Sequence, residues 1–185
     1  MNQLLSKIFK KRKWTEYLLY TSVIVVGIIL DQLTKYLSVK YLAPLDTLPL
    51  WNGVLHLTYV ENPGAAFGML AGMPWIFNTL SIVTVIGISL YLYLGHADNK
   101  LYSISLSLIV SGGIGNLIDR LSLGYVVDFI DFRLINFAVF NGADSFVCIG
   151  AGVLILALIL DLVKEAKAER ERQREKDVKA HEEDE

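Results

Sequence analysis

Twenty-one consecutive residues, Trp75–Gly95, carry no charge. A helix of about 20 residues spans the roughly 30 Å hydrocarbon core of a bilayer. Three more runs approach that length. Tyr17–Tyr36 is apolar as far as Leu30, broken by Thr21 and Ser22, and continues helically through Asp31 and Lys35 to about Tyr41. Leu101–Leu121 is uncharged until Asp119 and Arg120, and Ser145–Val163 is interrupted only by Asp161. Four such runs in a 185-residue chain that is 54% hydrophobic exceed what an ordinary soluble domain contains. The expected fold is an all-α membrane protein with four transmembrane helices.

The charges are concentrated at the chain ends. Five of the 17 basic residues lie in Lys7–Lys13 and seven more in Lys164–Lys179, so the net charge of −2 averages over separate segments. The central body lacks the basic face that a nucleic-acid-binding protein needs. The basic start followed by an apolar run imitates a signal peptide, but it lacks a small-residue cleavage site and its helical pattern runs on. The expected organisation is a basic cytoplasmic N-terminus (1–16), a four-span domain (17–163) and a charged cytoplasmic tail (164–185). The tail reads as a solvated helical extension or as disorder. Basic residues at the span ends place both termini inside and loops 42–74 and 122–143 outside. The single cysteine, Cys148, permits no intramolecular disulfide.

The two outer loops have strand character. Val54–Val60 alternates Leu55, Leu57, Tyr59 with Val54, His56, Thr58, and Asn52-Gly53 before it is a hairpin signal. Gly124–Phe140 is also extended, with Asp128 on one alternating face and Asp131 and Arg133 on the other. Pro44, Pro49, Pro63 and Pro74 punctuate the first loop. A small extracytoplasmic β-cradle is therefore expected on the bundle.

The misplaced polar residues map to one membrane surface under this topology. Asp31 and Lys35 lie at the outer end of the first span, and Asn62 is in the first outer loop. Asn116 and Arg120 end the third span. Asp128 and Asn141 lie in the second outer loop, and Asp144 opens the fourth span. Polar groups distant in sequence that share one depth suggest a site. Each also has a plainer explanation. Asp31 and Lys35 are spaced as a helix ion pair, Arg120 fits a side chain snorkelling to the interface, and Asn62-Pro63-Gly64 fits a turn. Asp119 and Asp131 read as facing water or capping local structure, and His56 as a strand residue without a second ligand. Cys148, Gly115, Gly150 and Gly152 fit helix packing.

Asp128 and Asp144 resist such explanations, because each sits among apolar residues with no basic residue at helical spacing on its own segment. Two carboxylates brought together cannot both ionise easily, so one holds a proton while the other is charged. That state suits hydrolysis: the charged partner activates water and the protonated one hydrogen-bonds the carbonyl. An intramembrane acid also fits a proton-coupled carrier, though no chain of acids crosses the bilayer. A structural subunit would leave both aspartates without a role. There is no HExxH, no GxSxG and no P-loop lysine, and three scattered histidines make no usual zinc site. No metal and no cofactor are expected.

Five motifs in order resemble the bacterial lipoprotein signal peptidase (signal peptidase II) family. They are Asp31-Gln32-Leu33-Thr34-Lys35, Asn62-Pro63-Gly64-Ala65-Ala66-Phe67-Gly68, Gly115-Asn116-Leu117-Ile118-Asp119-Arg120, Val126-Val127-Asp128-Phe129 and Phe140-Asn141-Gly142-Ala143-Asp144-Ser145. The resemblance covers roughly Leu30 to Leu160. It departs at Gly142, where the family commonly has an apolar residue, and at Ser111, where it has a glycine. It implies an aspartyl endopeptidase of the bacterial cytoplasmic membrane with Asp128 and Asp144 as its dyad. Asp31, Lys35, Asn62, Gly64, Asn116, Arg120 and Asn141 would shape or line the pocket. The implied substrates are diacylglyceryl-modified prolipoproteins, cut just before the lipidated lipobox cysteine. Membrane lipids are the other expected partners, and the expected state is a monomer.

Overall fold

A computed structural model describes residues 13–64, 74–95, 97 and 99–183. The basic N-terminus through residue 12 and Ala65–Gly68 of the second motif lie outside the described residues. Among the described residues, four α-helices and three strands follow in the order α1 (Trp14–Leu37), β1 (Thr47–Trp51), β2 (Leu55–Asn62), α2 (Pro74–Tyr93), α3 (Lys100–Ser122), β3 (Val126–Phe132) and α4 (Gly142–Glu183). A π-helical turn, Ser38–Leu42, prolongs α1. A short 3-10 turn, Arg133–Ile135, follows β3.

Three of the described helices, α1, α3 and α4, are long and apolar enough to cross a membrane. α2 contributes the shorter apolar stretch Asn78–Tyr93. Their outward faces are hydrocarbon: Val26, Ile29 and Leu33 on α1, Leu80, Val83 and Ile86 on α2, and Ile155, Leu156 and Ile159 on α4 are all exposed. Water would not tolerate so continuous an apolar surface, whereas lipid would.

Small residues let the helices approach. A Cβ added at Gly150 would come 2.6 Å from the Ser105 carbonyl oxygen, and one at Gly112 would come 2.2 Å from that of Ala143. α3 and α4 therefore bring their backbones close together at both glycines. The apolar core, Tyr20, Ile24, Leu92, Leu106 and Val110, fills the half of the bundle away from the sheet. Gly152 has nothing within 4 Å of its Cβ position, and Cys148 is exposed, so neither serves the packing expected of it.

The sheet is antiparallel in the order β1-β2-β3. Asn52-Gly53 makes the hairpin turn, with Gly53 at φ +73°. His56 Nε2 accepts the Gly53 N–H at 3.2 Å, so this histidine holds a turn. The register sets Val60 opposite Asp128 after a bulge between Leu57 and Val60. Arg133 Nε (2.8 Å) and the Thr58 hydroxyl (2.7 Å) both donate to Asp131 Oδ2. Burial pushes the Asp131 carboxyl up, but these two donors prevail and hold it below its usual value. α4 runs 42 residues without a break, so the tail is a helical extension through Glu183.

A candidate active site between the sheet and the helix ends

Asp128 lies in the middle of β3 and is 2% exposed. Both of its oxygens accept amide hydrogens: Oδ1 from Asn141 Nδ2 at 2.7 Å and Oδ2 from Asn62 Nδ2 at 2.8 Å. Asn62 Oδ1 in turn accepts the Gly64 N–H at 3.0 Å, which turns its amino group toward Asp128. Burial, with a smaller addition from the nearby Asp144 charge, pushes the Asp128 carboxyl up to about 6 against the pull of Asn62 and Asn141.

Asp144 sits in the first turn of α4. Its N–H donates to Asn141 Oδ1 at 2.9 Å, and its Oδ2 accepts the Asn141 N–H at 3.2 Å. This reciprocal pair is a capping box with Asn141 at the cap and Asp144 three residues on. A helix N-terminus also favours negative charge there. Asp144 Oδ1 accepts from Asn116 Nδ2 at 2.7 Å. Asn141 thus bridges the two aspartates: its side chain holds Asp128 and its backbone holds Asp144.

A second buried group lies beneath this one. Lys35, 3% exposed, reaches Asp31 Oδ2, Asp119 Oδ2 and Asn116 Oδ1, each at 2.9 Å. The Asp31–Lys35 pair is spaced as a helix ion pair, but it is buried and reaches across the bundle. Asp119 is 3% exposed and does not face water as expected. It accepts the Val127 N–H at 3.1 Å and Gln32 Nε2 at 3.0 Å. Asp119 and Gln32 are the site members that the sequence reading missed. Gln32 stands within the first motif and Asp119 within the third, and those positions were the available signal.

Arg120 is half-buried and makes no ion pair among the described residues. It is near enough to feel the charges of Asp144, Asp128 and Asp119. Of the nine expected site residues, the structure joins Asp128, Asp144, Asn141, Asn116, Asn62, Lys35 and Asp31 in one hydrogen-bonded network. Gly64 enters through its backbone, and Arg120 stands beside the network.

The family model described as Signal peptidase (SPase) II matches residues 23–160. A lipoprotein signal peptidase of Caldanaerobacter subterraneus is 50% identical over 127 residues, covering 69% of this chain and 86% of the relative. One from Microcystis aeruginosa is 43% identical over 150 residues, covering 80% and 94%. A solved bacterial membrane enzyme superposes with a TM-score of 0.69 at 34% identity, over 77% of this chain and 88% of its own.

Proposed function

The chain belongs to the signal peptidase II family, and on that premise we propose that Asp128 and Asp144 are its catalytic dyad. The protein is a membrane protease that removes signal peptides from prolipoproteins. The observation that carries the dyad assignment is the Asn141 bridge, which draws two sequence-distant carboxylates together in a buried setting.

In the proposed reaction the pair shares one proton. Burial favours that proton on Asp128. Asp144 takes a proton from water as the oxygen attacks the scissile carbonyl carbon, and Asp128 protonates the carbonyl oxygen. The resulting diol collapses as the C–N bond breaks. The proton on Asp144 passes to the leaving nitrogen, and a diol hydroxyl returns its proton to Asp128. The products are a signal-peptide carboxylic acid, which then ionises to water, and a free amine on the lipidated cysteine. Arg120 adds positive charge beside the reacting carbonyl. Asn62, Gly64, Asn116 and Asn141 shape the pocket wall, and no metal or cofactor takes part.

Four membrane spans are part of the same reading. α2, at 20 residues, is about 30 Å long and exposes an apolar face. Residues 17–163 form the peptidase domain, flanked by the basic segment 1–16 and the charged tail 164–185. The basic residues favour both termini on the cytoplasmic side and the site at the outer face. A monomer surrounded by lipid suffices, because a diacylglyceryl-anchored substrate reaches the bilayer edge by lateral diffusion.

The test is cleavage of a diacylglyceryl-modified lipobox peptide by purified protein in detergent, with Asp128→Asn and Asp144→Asn alongside. Wild type should cut just before the cysteine, and each variant should lose about 10³-fold or more in kcat. Activity retained by either variant would remove that aspartate from the mechanism.

A further inference from the structure

Lys35 has three N–H bonds and meets three acceptors, Asp31 Oδ2, Asp119 Oδ2 and Asn116 Oδ1, all at 2.9 Å. It has no hydrogen left for a substrate and almost no exposed surface, so it does not line the pocket. Its two carboxylate partners each hold one further group. Asp31 Oδ1 accepts the N–H of Ala143 at 2.8 Å, and Ala143 immediately precedes Asp144. Asp119 Oδ2 accepts the N–H of Val127 at 3.1 Å, and Val127 immediately precedes Asp128. One ammonium group therefore joins two carboxylates that each grip the backbone one residue ahead of a dyad member.

We propose that Asp31, Lys35 and Asp119 form a positioning clamp that fixes the spacing of the Asp128 and Asp144 carboxylates, with Lys35 as its pin. The assignment rests on the dyad reading above. The clamp acts through bonded neighbours. Consecutive Cα atoms are only about 3.8 Å apart, so a shift at Ala143 or Val127 carries directly to the next residue. Lys35 also sets the direction of an amide. An ammonium can only donate, so Asn116 must turn its oxygen to Lys35 and its amino group to Asp144. Gly115 makes room for the arrangement, because a Cβ there would come 2.4 Å from Asp31 Oδ2. None of the three clamp residues touches a reacting atom.

The full-length protein in detergent, assayed with a diacylglyceryl lipobox peptide, gives the test. Asp119→Asn removes one charge of the clamp but keeps an oxygen for Val127. Gly115→Ala pushes the Asp31 carboxylate aside and changes no charge. Each should lower kcat by at least about tenfold, as small misplacements of reacting groups do, and leave KM within about twofold because no substrate contact is lost. Lys35→Arg should recover part of the activity that Lys35→Met loses. The pH profile is the decisive readout. Asp128 is faced by Asp144 from α4, Lys35 from α1 and Arg120 from α3, and Gly115→Ala alters none of these charges. Carboxylates that drift apart couple less, so the two limbs of its kcat profile should move closer together.

A raised KM at unchanged kcat would overturn the clamp, return Asp31 and Lys35 to the pocket wall and place Asp119 there with them. A lowered unfolding temperature with unmoved kcat and unmoved limbs would reduce them to scaffold. If Lys35→Met does not fold, the Asp119→Asn and Gly115→Ala rates decide the question. Failure of the dyad itself is read separately, as retained cleavage by Asp128→Asn or Asp144→Asn.

Discussion

The two halves of the helix bundle bury polar side chains in different ways. Away from the sheet, Ser103, Ser105 and Ser107 are fully buried on α3, and each donates to a carbonyl four residues back on the chain. Those bonds are local and would form in an isolated helix. At the sheet end the buried groups find partners far away in sequence: Lys35 with Asp119, Asn116 with Asp144, and Asp31 with Ala143. Burying a charge is costly unless it is paired. A chain that buries an ammonium and several carboxylates at one end, while the serines fully buried in its other half bond within their own helix, has concentrated that cost at the candidate site. Local polar bonds accommodate a side chain, whereas long-range ones fix a geometry.

The sharpest way to break this contrast is at Asn141. Alanine there removes the amide bridging Asp128 and Asn116 and the acceptor for the Asp144 N–H. We expect kcat for the lipobox peptide to fall about 10²-fold, the scale of losing about 1 Å of alignment. A loss under threefold would mean that the network does not hold the reacting groups.

A weaker effect comes from pH. The Asp128 carboxyl is held near 6, above its ordinary 3.8, so its proton is present below about 6 and leaves as the pH rises through that value. The proposed mechanism needs that proton. On the alkaline side kcat/KM should therefore fall, approaching about tenfold per pH unit, as stopped-time cleavage across a buffer series would show. A profile flat through neutral pH would take Asp128 out of the proton-bearing role.

The smallest effect belongs to the opposite half. Ser107→Ala removes a hydroxyl bonded only within its own helix. Its stability, measured by thermal unfolding in detergent, should change by no more than about 0.5 kcal/mol, and the alkaline limb should not move. A large shift in either would show that the two halves are coupled after all.

What could be read from the chain beforehand follows the same division. The apolar runs gave the first three helices and the start of the fourth to within a few residues, because length and absence of charge are sufficient, whereas the charged end of α4, through Glu183, lies beyond the apolar signal. Asn52-Gly53 gave the hairpin, because its positive φ suits few other residues. Asp128, Asp144 and the asparagines stood out as polar groups in apolar company. Asp119 did not, because it lies beside Arg120 near a helix end and its partner Lys35 is 84 residues earlier. Nothing local separates it from a solvated acid. The outward Cys148 and Gly152 were missed for another reason: a segment apolar on every side gives no phase to say which face is buried.

The hydrogen bond from Ala143 to Asp31 spans 112 residues, and this bears on when the enzyme comes into being. Asp31 and Lys35 enter the membrane with the first helix and have only each other for company. Their four-residue spacing lets them travel as a neutral pair. Asp119 arrives with the third helix, and Ala143 only with the last. A ribosome that has released three helices has therefore made a membrane protein but not yet a protease. Asp128, Asn141 and Asp144 are the last elements of the site to be synthesised, and Asp31, Lys35, Asn116 and Asp119 are already waiting for them.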